Sequence, residues 1–138
     1  MKKVTGIGGI FFQAQGDAKE LESWYAKHLG LEETPGQGLF WKWRKQENPD
    51  ENGATIFSVF SPKSTYMQPS KAGFMINFRV DNLEALLIEL KSAGVQQIGD
   101  METYDYGKFA WILDPEGNKI ELWEPAKEGE FPGGMPMS

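Results

Sequence analysis

The stretch that decides the fold is GKFAWILDPEGNKIELWEP, residues 107–125. Lys108 to Leu113 and Lys119 to Glu124 each have the length of a strand and contain aromatic and β-branched residues. Between them lies Asp114-Pro115-Glu116-Gly117-Asn118, a segment rich in the residues that turns favour. We therefore predict that the chain closes with a β-hairpin.

A strand and a helix precede this hairpin. Residues 74–80, FMINFRV, alternate between two faces as a strand does. A helix is predicted from about Asp81 to Ala93, with Asp81 as its cap and Gly94 as its end. The apolar stripe of this helix consists of Leu83, Leu86, Leu87 and Leu90.

The same order of elements occurs earlier in the chain. A strand at 7–14 leads to a helix from about Asp17 to Leu29, and two strands follow at 39–44 and 54–61. The two helices begin about 64 residues apart, which indicates two copies of one strand–helix–strands unit. The helix stripes do not superpose residue for residue, so chance similarity between amphipathic elements stays open as the alternative.

The stripe of the first helix contains Leu21, Trp24, Tyr25 and His28. His28 is the only histidine, and it is a candidate for a metal ligand or a general base. Its place on the apolar stripe favours a structural position near the core.

The 138 residues fit one domain, which we place at residues 1–125. Module one covers about 4–62 and module two about 73–125, with residues 62–72 as a connector rich in small and polar residues. Residues 126–138 are rich in Gly and Pro and are expected to form a C-terminal tail, either a loose extension or an arm that packs on a partner chain.

The composition argues against several classes of function. A net charge of −6 without a basic cluster argues against nucleic acid as a partner. The absence of Cys excludes disulfides, thiolate metal sites and a Cys nucleophile. No apolar run approaches the roughly 20 residues that span a bilayer, so we expect no membrane partner and a cytoplasmic location.

Three runs carry a resemblance to a known family: LESWYAKHLGL at 21–31, MINFRVDNL at 75–83, and the hairpin at 107–125. In this order and spacing they resemble the vicinal oxygen chelate superfamily, of the glyoxalase, bleomycin resistance protein and dioxygenase type. The resemblance implies an α+β fold of two βαβββ modules, whose curled mixed sheets form a shared cavity. It also implies a homodimer.

One face of each outer strand is apolar and is expected to pack on a helix, as Ile120 and Leu122 would in the last strand. The opposite face carries polar side chains beside aromatic ones and is expected to bind a small molecule. The predicted substrate-binding residues are Phe11, Gln13, Ser58, Met75, Asn77, Arg79, Tyr106, Trp111, Glu121 and Trp123. For Arg79, an internal salt bridge to Glu121 is the alternative.

The resemblance places the metal ligands of metal-bearing members at Gly9, Ser58, Met75 and Glu121. A divalent ion needs several oxygen or nitrogen donors, and these positions offer one carboxylate and one hydroxyl. We therefore expect no metal and no other cofactor. Glu121 is the one candidate catalytic residue, because burial would raise its pKa toward that of a general base.

These observations favour a metal-free protein that binds a small molecule in an aromatic cavity, and an acidic chain suits a planar cation. One alternative is a metal-dependent lyase, like lactoylglutathione lyase, or a dioxygenase of the same superfamily. The other is a metal-free enzyme that uses Glu121 as its general base.

Overall fold

The computed structural model describes residues 3–31, 33–34, 38–46, 48–50 and 52–126. The predicted tail therefore lies outside the described residues, apart from Ala126. The strands and helices follow in the order β1 (Val4–Gln13), α1 (Ala18–Leu29), β2 (Glu33–Thr34), β3 (Gly38–Arg44), β4 (Asn52–Phe60), β5 (Phe74–Val80), α2 (Leu83–Ser92), β6 (Glu102–Tyr104), β7 (Gly107–Leu113) and β8 (Lys119–Pro125).

All of these strands join in one sheet, in the order β2-β3-β4-β1-β5-β8-β7-β6. Within each half the first strand pairs in parallel with the last, β1 with β4 and β5 with β8. The halves meet where β1 runs antiparallel to β5. Each half is thus a βαβββ unit, and the predicted α+β fold is confirmed. The short strands β2 and β6 carry no alternation of their own and were implied by the resemblance alone.

The closing hairpin forms as predicted. The carboxylate of Asp114 accepts hydrogen bonds from the backbone N–H groups of Glu116 and Asn118, both at 2.9 Å. Gly117 takes a left-handed φ of 84°, which a residue without a side chain adopts at little cost. The turn places Leu113 opposite Lys119, and this register aligns β7 with β8.

The helix ends are partly as predicted. Asp17 caps α1 by accepting a hydrogen bond from the Glu20 N–H at 3.0 Å, and Gly30 ends the helix in the left-handed conformation. The predicted cap of α2 at Asp81 is wrong, because Asn82 accepts from the Ala85 N–H at 3.0 Å. Among the described residues, no helix is long and apolar enough to span a membrane.

The stripe of α1 packs less deeply than predicted. No residue of α1 is buried, and Trp24 is 52% exposed. Tyr25 makes the contact with the sheet, with its ring centroid 4.9 Å from that of Phe57. His28 is exposed and lies against Trp24 at 5.1 Å, so its predicted position near the core is wrong.

The two faces of the sheet bury two separate clusters, as the alternation predicts. The outer face packs on α2 through Val80, Leu83, Leu86, Ala110 and Leu122. The inner face draws side chains from five strands and the connector into one cluster: Phe11, Ile56, Phe60, Met67, Met75, Phe109, Trp111 and Trp123. Because the five neighbouring strands from β4 to β7 all contribute to it, the sheet curls around this cluster.

Candidate functional site

A buried carboxylate lies on the inner face of the second half. Glu121 of β8 is 1% exposed and is in register with Asn77 of β5 and Trp111 of β7. Asn77 Nδ2 donates to Oε1 at 2.6 Å, and Trp111 Nε1 donates to Oε2 at 2.8 Å. The hydroxyl of Tyr66, from the connector, donates to the same Oε2. Three hydrogen bonds therefore enclose this carboxylate.

Burial decides the electrostatics of this group. It raises the pKa of Glu121, while the hydrogen bonds from Tyr66, Asn77 and Trp111 and the charge of Lys119 act in the opposite direction. Burial, together with the neighbouring Glu121, also raises the pKa of Tyr66. The Tyr66 hydroxyl therefore stays protonated and remains a hydrogen-bond donor.

The ammonium group of Lys119 lies over two neighbouring aromatic rings. Its Nζ is 5.2 Å from the ring centroid of Tyr66 and 5.8 Å from that of Trp111. The same Nζ donates to the backbone carbonyl oxygen of Tyr66 at 2.5 Å. Burial lowers the pKa of Lys119, and the charges of Glu121 and Glu102 oppose this shift. This pair of rings is already a place where an ammonium group sits.

A cleft of about 250 Å³ opens beside these rings. Its lining is aromatic and charged, and consists of Tyr66, Ile98, Gly99, Asp100, Glu102, Tyr104, Trp111 and Lys119. Tyr104 stacks on Tyr106 with 5.3 Å between ring centroids and donates a hydrogen bond to Glu102. Glu121 does not line this cleft, since it lies behind Tyr66 and Trp111.

Arg79 is buried elsewhere on the inner face. It is 2% exposed, and its guanidinium carbon lies 5.3 Å from the ring centroid of Trp43 and 5.1 Å from that of Trp123. The three hydrogen bonds that Glu121 accepts come from Tyr66, Asn77 and Trp111, and none of these three comes from Arg79. A ligand-binding role for Arg79 stays a prediction.

Several predicted site residues lie in the packed interior. Phe11, Ser58, Met75 and Trp123 are at most 3% exposed, and none of them lines the cleft. That these four residues contact a ligand therefore stays a prediction. Of the predicted site residues, Trp111 lines the cleft. Tyr106 does not line it but stacks on Tyr104, which does.

Gln13 contacts the connector. Its Nε2 donates to the backbone carbonyl oxygens of Ser61, Pro62 and Ser64 at 3.4, 3.1 and 2.9 Å. These contacts hold the start of the segment that carries Tyr66. In the structure, the amide of Gln13 thus supports the connector.

The positions that the resemblance assigns to metal ligands do not fit a divalent ion. Gly9 has no side chain, and a Cβ there would lie 2.7 Å from the ring of Phe11. Met75 offers a fully buried thioether, and both oxygens of Glu121 already accept hydrogen bonds. In the part of the chain that the structure describes, no group of three or more His, Cys, Asp or Glu side chains is arranged to hold an ion.

The sequence did not point to every residue at the cleft. Lys119 is two positions before Glu121, so the period of a strand already placed both on one face. Tyr66 is 55 positions from Glu121 and lies in a connector without periodicity, so no pattern indicated it. Asp100 and Glu102 lie on the segment leading into and forming β6, a strand too short to show alternation.

Comparisons with known proteins agree with this architecture. A family model described as the Glyoxalase/Bleomycin resistance protein/Dioxygenase superfamily matches residues 9–122. No curated protein matches the chain. Among solved structures, a methylmalonyl-CoA epimerase from Mycobacterium tuberculosis is similar, with 20% identity, a TM-score of 0.63 and 93% of each chain covered.

Two further structures are similar. A methylmalonyl-CoA epimerase from Streptomyces coelicolor has 18% identity and a TM-score of 0.64, over 89% of this chain and 99% of its own. A superfamily member from Vibrio splendidus 12B01 has 15% identity and a TM-score of 0.53, over 86% and 97%. At such identities the likeness establishes the fold alone.

Proposed function

The chain belongs to the glyoxalase/bleomycin resistance protein/dioxygenase superfamily, and we propose that it binds a planar organic cation, without a metal ion, in the cleft beside Tyr66 and Trp111. One observation carries this proposal: Asp100 and Glu102 line the same cleft as three aromatic rings. Aromatic faces attract cations, and neighbouring carboxylates strengthen that attraction.

The charges around the cleft support a cationic ligand. Asp100 and Glu102 are exposed carboxylates of its lining. The one lysine of the lining, Lys119, directs its Nζ to the carbonyl oxygen of Tyr66. With two carboxylates against one ammonium in the lining, the local charge favours a cation over an anion.

The enzyme alternatives have less support. A lyase or dioxygenase that uses a divalent ion needs donors that Gly9 and Met75 do not offer. A general base has to approach the proton it removes to about 2.6–3.2 Å. The oxygens of Glu121 instead accept three hydrogen bonds from the protein, and the residue is 1% exposed.

Titration with the planar cation 1-methylquinolinium tests the proposal, with the planar anion 1-naphthoate as the matched control. Calorimetry of the full chain is expected to show binding of the cation and none of the anion. Treatment with EDTA is expected to leave the affinity unchanged. Equal affinity for both compounds, or loss of binding after EDTA, would overturn the proposal.

A double variant, Asp100→Asn with Glu102→Gln, tests the role of the carboxylates. Exposed charge pairs are individually weak, so the variant is expected to bind the cation roughly three- to tenfold more weakly. Glu116→Gln, which removes an exposed carboxylate from the β7–β8 turn, is the control and is expected to match the wild type. The homodimer implied by the resemblance remains a separate prediction, which sedimentation equilibrium of the full chain would test.

A further inference from the structure

The two aromatic walls of the cleft come from distant parts of the chain. Tyr66 belongs to the connector between the halves, and Trp111 belongs to β7. Their rings meet edge to face, with 6.1 Å between centroids and 89° between planes. Nothing in the local backbone sets this geometry, because 45 positions separate the two residues.

A single oxygen atom joins the two walls. The Tyr66 hydroxyl and the Trp111 indole N–H both donate to Oε2 of Glu121. Phe60 stacks on the ring of Tyr66 at 5.5 Å and Lys119 holds its carbonyl oxygen, but neither contact binds the hydroxyl. Among these contacts of Tyr66, the hydrogen bond to Glu121 is the one that binds its hydroxyl.

The chemistry of this junction calls for a carboxylate or a close isostere. A carboxylate oxygen has two lone pairs, so Oε2 accepts two donors while Oε1 accepts Asn77 Nδ2. Within the described residues, the buried Oδ1 of Asn77 has no hydrogen-bond partner. In a variant with glutamine at position 121, the side-chain NH2 group can take the place of Oε1. A half-turn of the Asn77 amide would then let Oδ1 of Asn77 accept a hydrogen bond from that NH2 group. Glutamine at position 121 can therefore preserve both bonds to the walls.

We infer that Glu121 is a positioning residue, which sets the two aromatic walls of the proposed cleft through Oε2 and does not touch the ligand. This inference rests on the proposed function. It differs from a role as metal ligand or general base, because in both of those the carboxylate would face the ion or the substrate. Here the carboxylate faces Tyr66, Trp111 and Asn77.

The test compares Glu121→Ala with Glu121→Gln by affinity for 1-methylquinolinium and by the indole N–H resonance of Trp111, assigned with Trp111→Phe. Glu121→Ala is expected to bind about tenfold more weakly, since both walls must then be immobilised on binding. Its Trp111 indole proton is expected to shift upfield as the hydrogen bond is lost. Glu121→Gln is expected to stay within about twofold of the wild type, which a purely electrostatic role would not allow.

Two further variants separate positioning from folding. Leu83→Ala removes a fully buried side chain of α2 that packs on the opposite, outer face of the sheet, and it is expected to be less stable while binding the cation like the wild type. Tyr66→Phe keeps the ring and removes one donor. It is expected to weaken binding by about threefold with the Trp111 resonance unchanged, and it replaces Glu121→Ala if that variant does not fold.

The outcomes are distinguishable. Wild-type affinity in Glu121→Ala, or in Tyr66→Phe if the alanine variant does not fold, would overturn the inference and leave the proposed function standing. A Glu121→Gln variant as weak as Glu121→Ala would also overturn it. Failure of the wild type to bind the cation would overturn the proposed function, and the indole resonance would then decide the positioning role by itself. An unchanged resonance in Glu121→Ala would exclude that role.

Discussion

The two βαβββ halves share a topology and differ in what they place on the inner face. Ser58 near the end of β4 and Glu121 of β8 lie in corresponding strand endings, and each is 1% exposed. Ser58 is in register with the aromatic residue Phe11, whereas Glu121 accepts three hydrogen bonds. At this position one half thus carries a hydroxyl in register with an aromatic residue, and the other carries a carboxylate that accepts three hydrogen bonds.

The outer layers differ in the same way. Helix α2 buries Leu83 and Leu86 against the sheet, while α1 buries none of its residues. Both helices have capped N-termini and left-handed glycines near their ends. Backbone signals are therefore common to the halves, and the side chains decide how tightly each helix packs.

Truncating one side chain in each helix should show the largest difference in stability between the two halves. Leu83→Ala is expected to lower the free energy of unfolding by about 2–5 kcal/mol, because it leaves a cavity in a packed cluster. Trp24→Ala, at a residue that is 52% exposed, is expected to cost less than about 1 kcal/mol. Urea denaturation of both variants measures the difference. Equal losses would contradict the asymmetry between the helices.

The pH dependence of stability should distinguish the inner side of the second half, which contains Glu121, from that of the first half. Burial raises the pKa of Glu121, so above the ordinary glutamate range the folded chain holds a proton that the unfolded chain has lost. The stability that this proton contributes is complete below that range and is lost as the pH rises through the raised pKa. Tyr66 and Lys119 are titratable groups next to Glu121; burial raises the pKa of Tyr66 and lowers that of Lys119.

Urea titrations between pH 4 and pH 8 measure this effect. The stability of the wild type is expected to fall with rising pH relative to Glu121→Gln, which cannot lose a proton. Ser58→Ala serves as the control in the other half and is expected to follow the wild-type slope. If the stability of the wild type and of Glu121→Gln changed in parallel with pH, burial would not shift the pKa of Glu121.

A smaller effect is expected where the first half supports the connector. Gln13→Ala removes the side-chain hydrogen bonds to three backbone carbonyls and is expected to cost about 1–2 kcal/mol. Amide hydrogen exchange in residues 61–70 is expected to accelerate. Gln97→Ala, which removes one exposed bond to the Gly99 carbonyl at 3.1 Å, is the matched control and should cost less. If both variants cost the same, Gln13 does not hold the connector.

The helix caps should show the smallest and most equal effects. Asp17→Ala and Asn82→Ala each remove a side-chain acceptor that lies 3.0 Å from a backbone nitrogen. Each is expected to lower the free energy of unfolding by about 0.5–1 kcal/mol, as measured by thermal or urea denaturation. A loss at one cap alone would mean that the halves differ in backbone as well as in side chains.

The parts of the fold that the sequence predicts well are local. The β7–β8 hairpin follows from the turn at 114–118, and the two faces of β5 and β8 follow from a period of two. The errors are also local: Asp81 and Asn82 are both good caps, and periodicity by itself did not show which one the chain uses. His28 shares an apolar stripe with Tyr25, but the stripe does not predict how deeply each side chain is buried.

By itself, the sequence determined the order of the longer strands and helices, the family, and the side of the sheet on which Asn77 and Glu121 lie. It also determined that Gly9 and Met75 offer no oxygen or nitrogen side-chain donor to an ion. The tertiary structure alone brought Tyr66 to Glu121 and set Asp100 and Glu102 beside Trp111. The reason is physical: alternation is a property of neighbouring residues, whereas this meeting depends on the curl of the whole sheet and on the path of the connector.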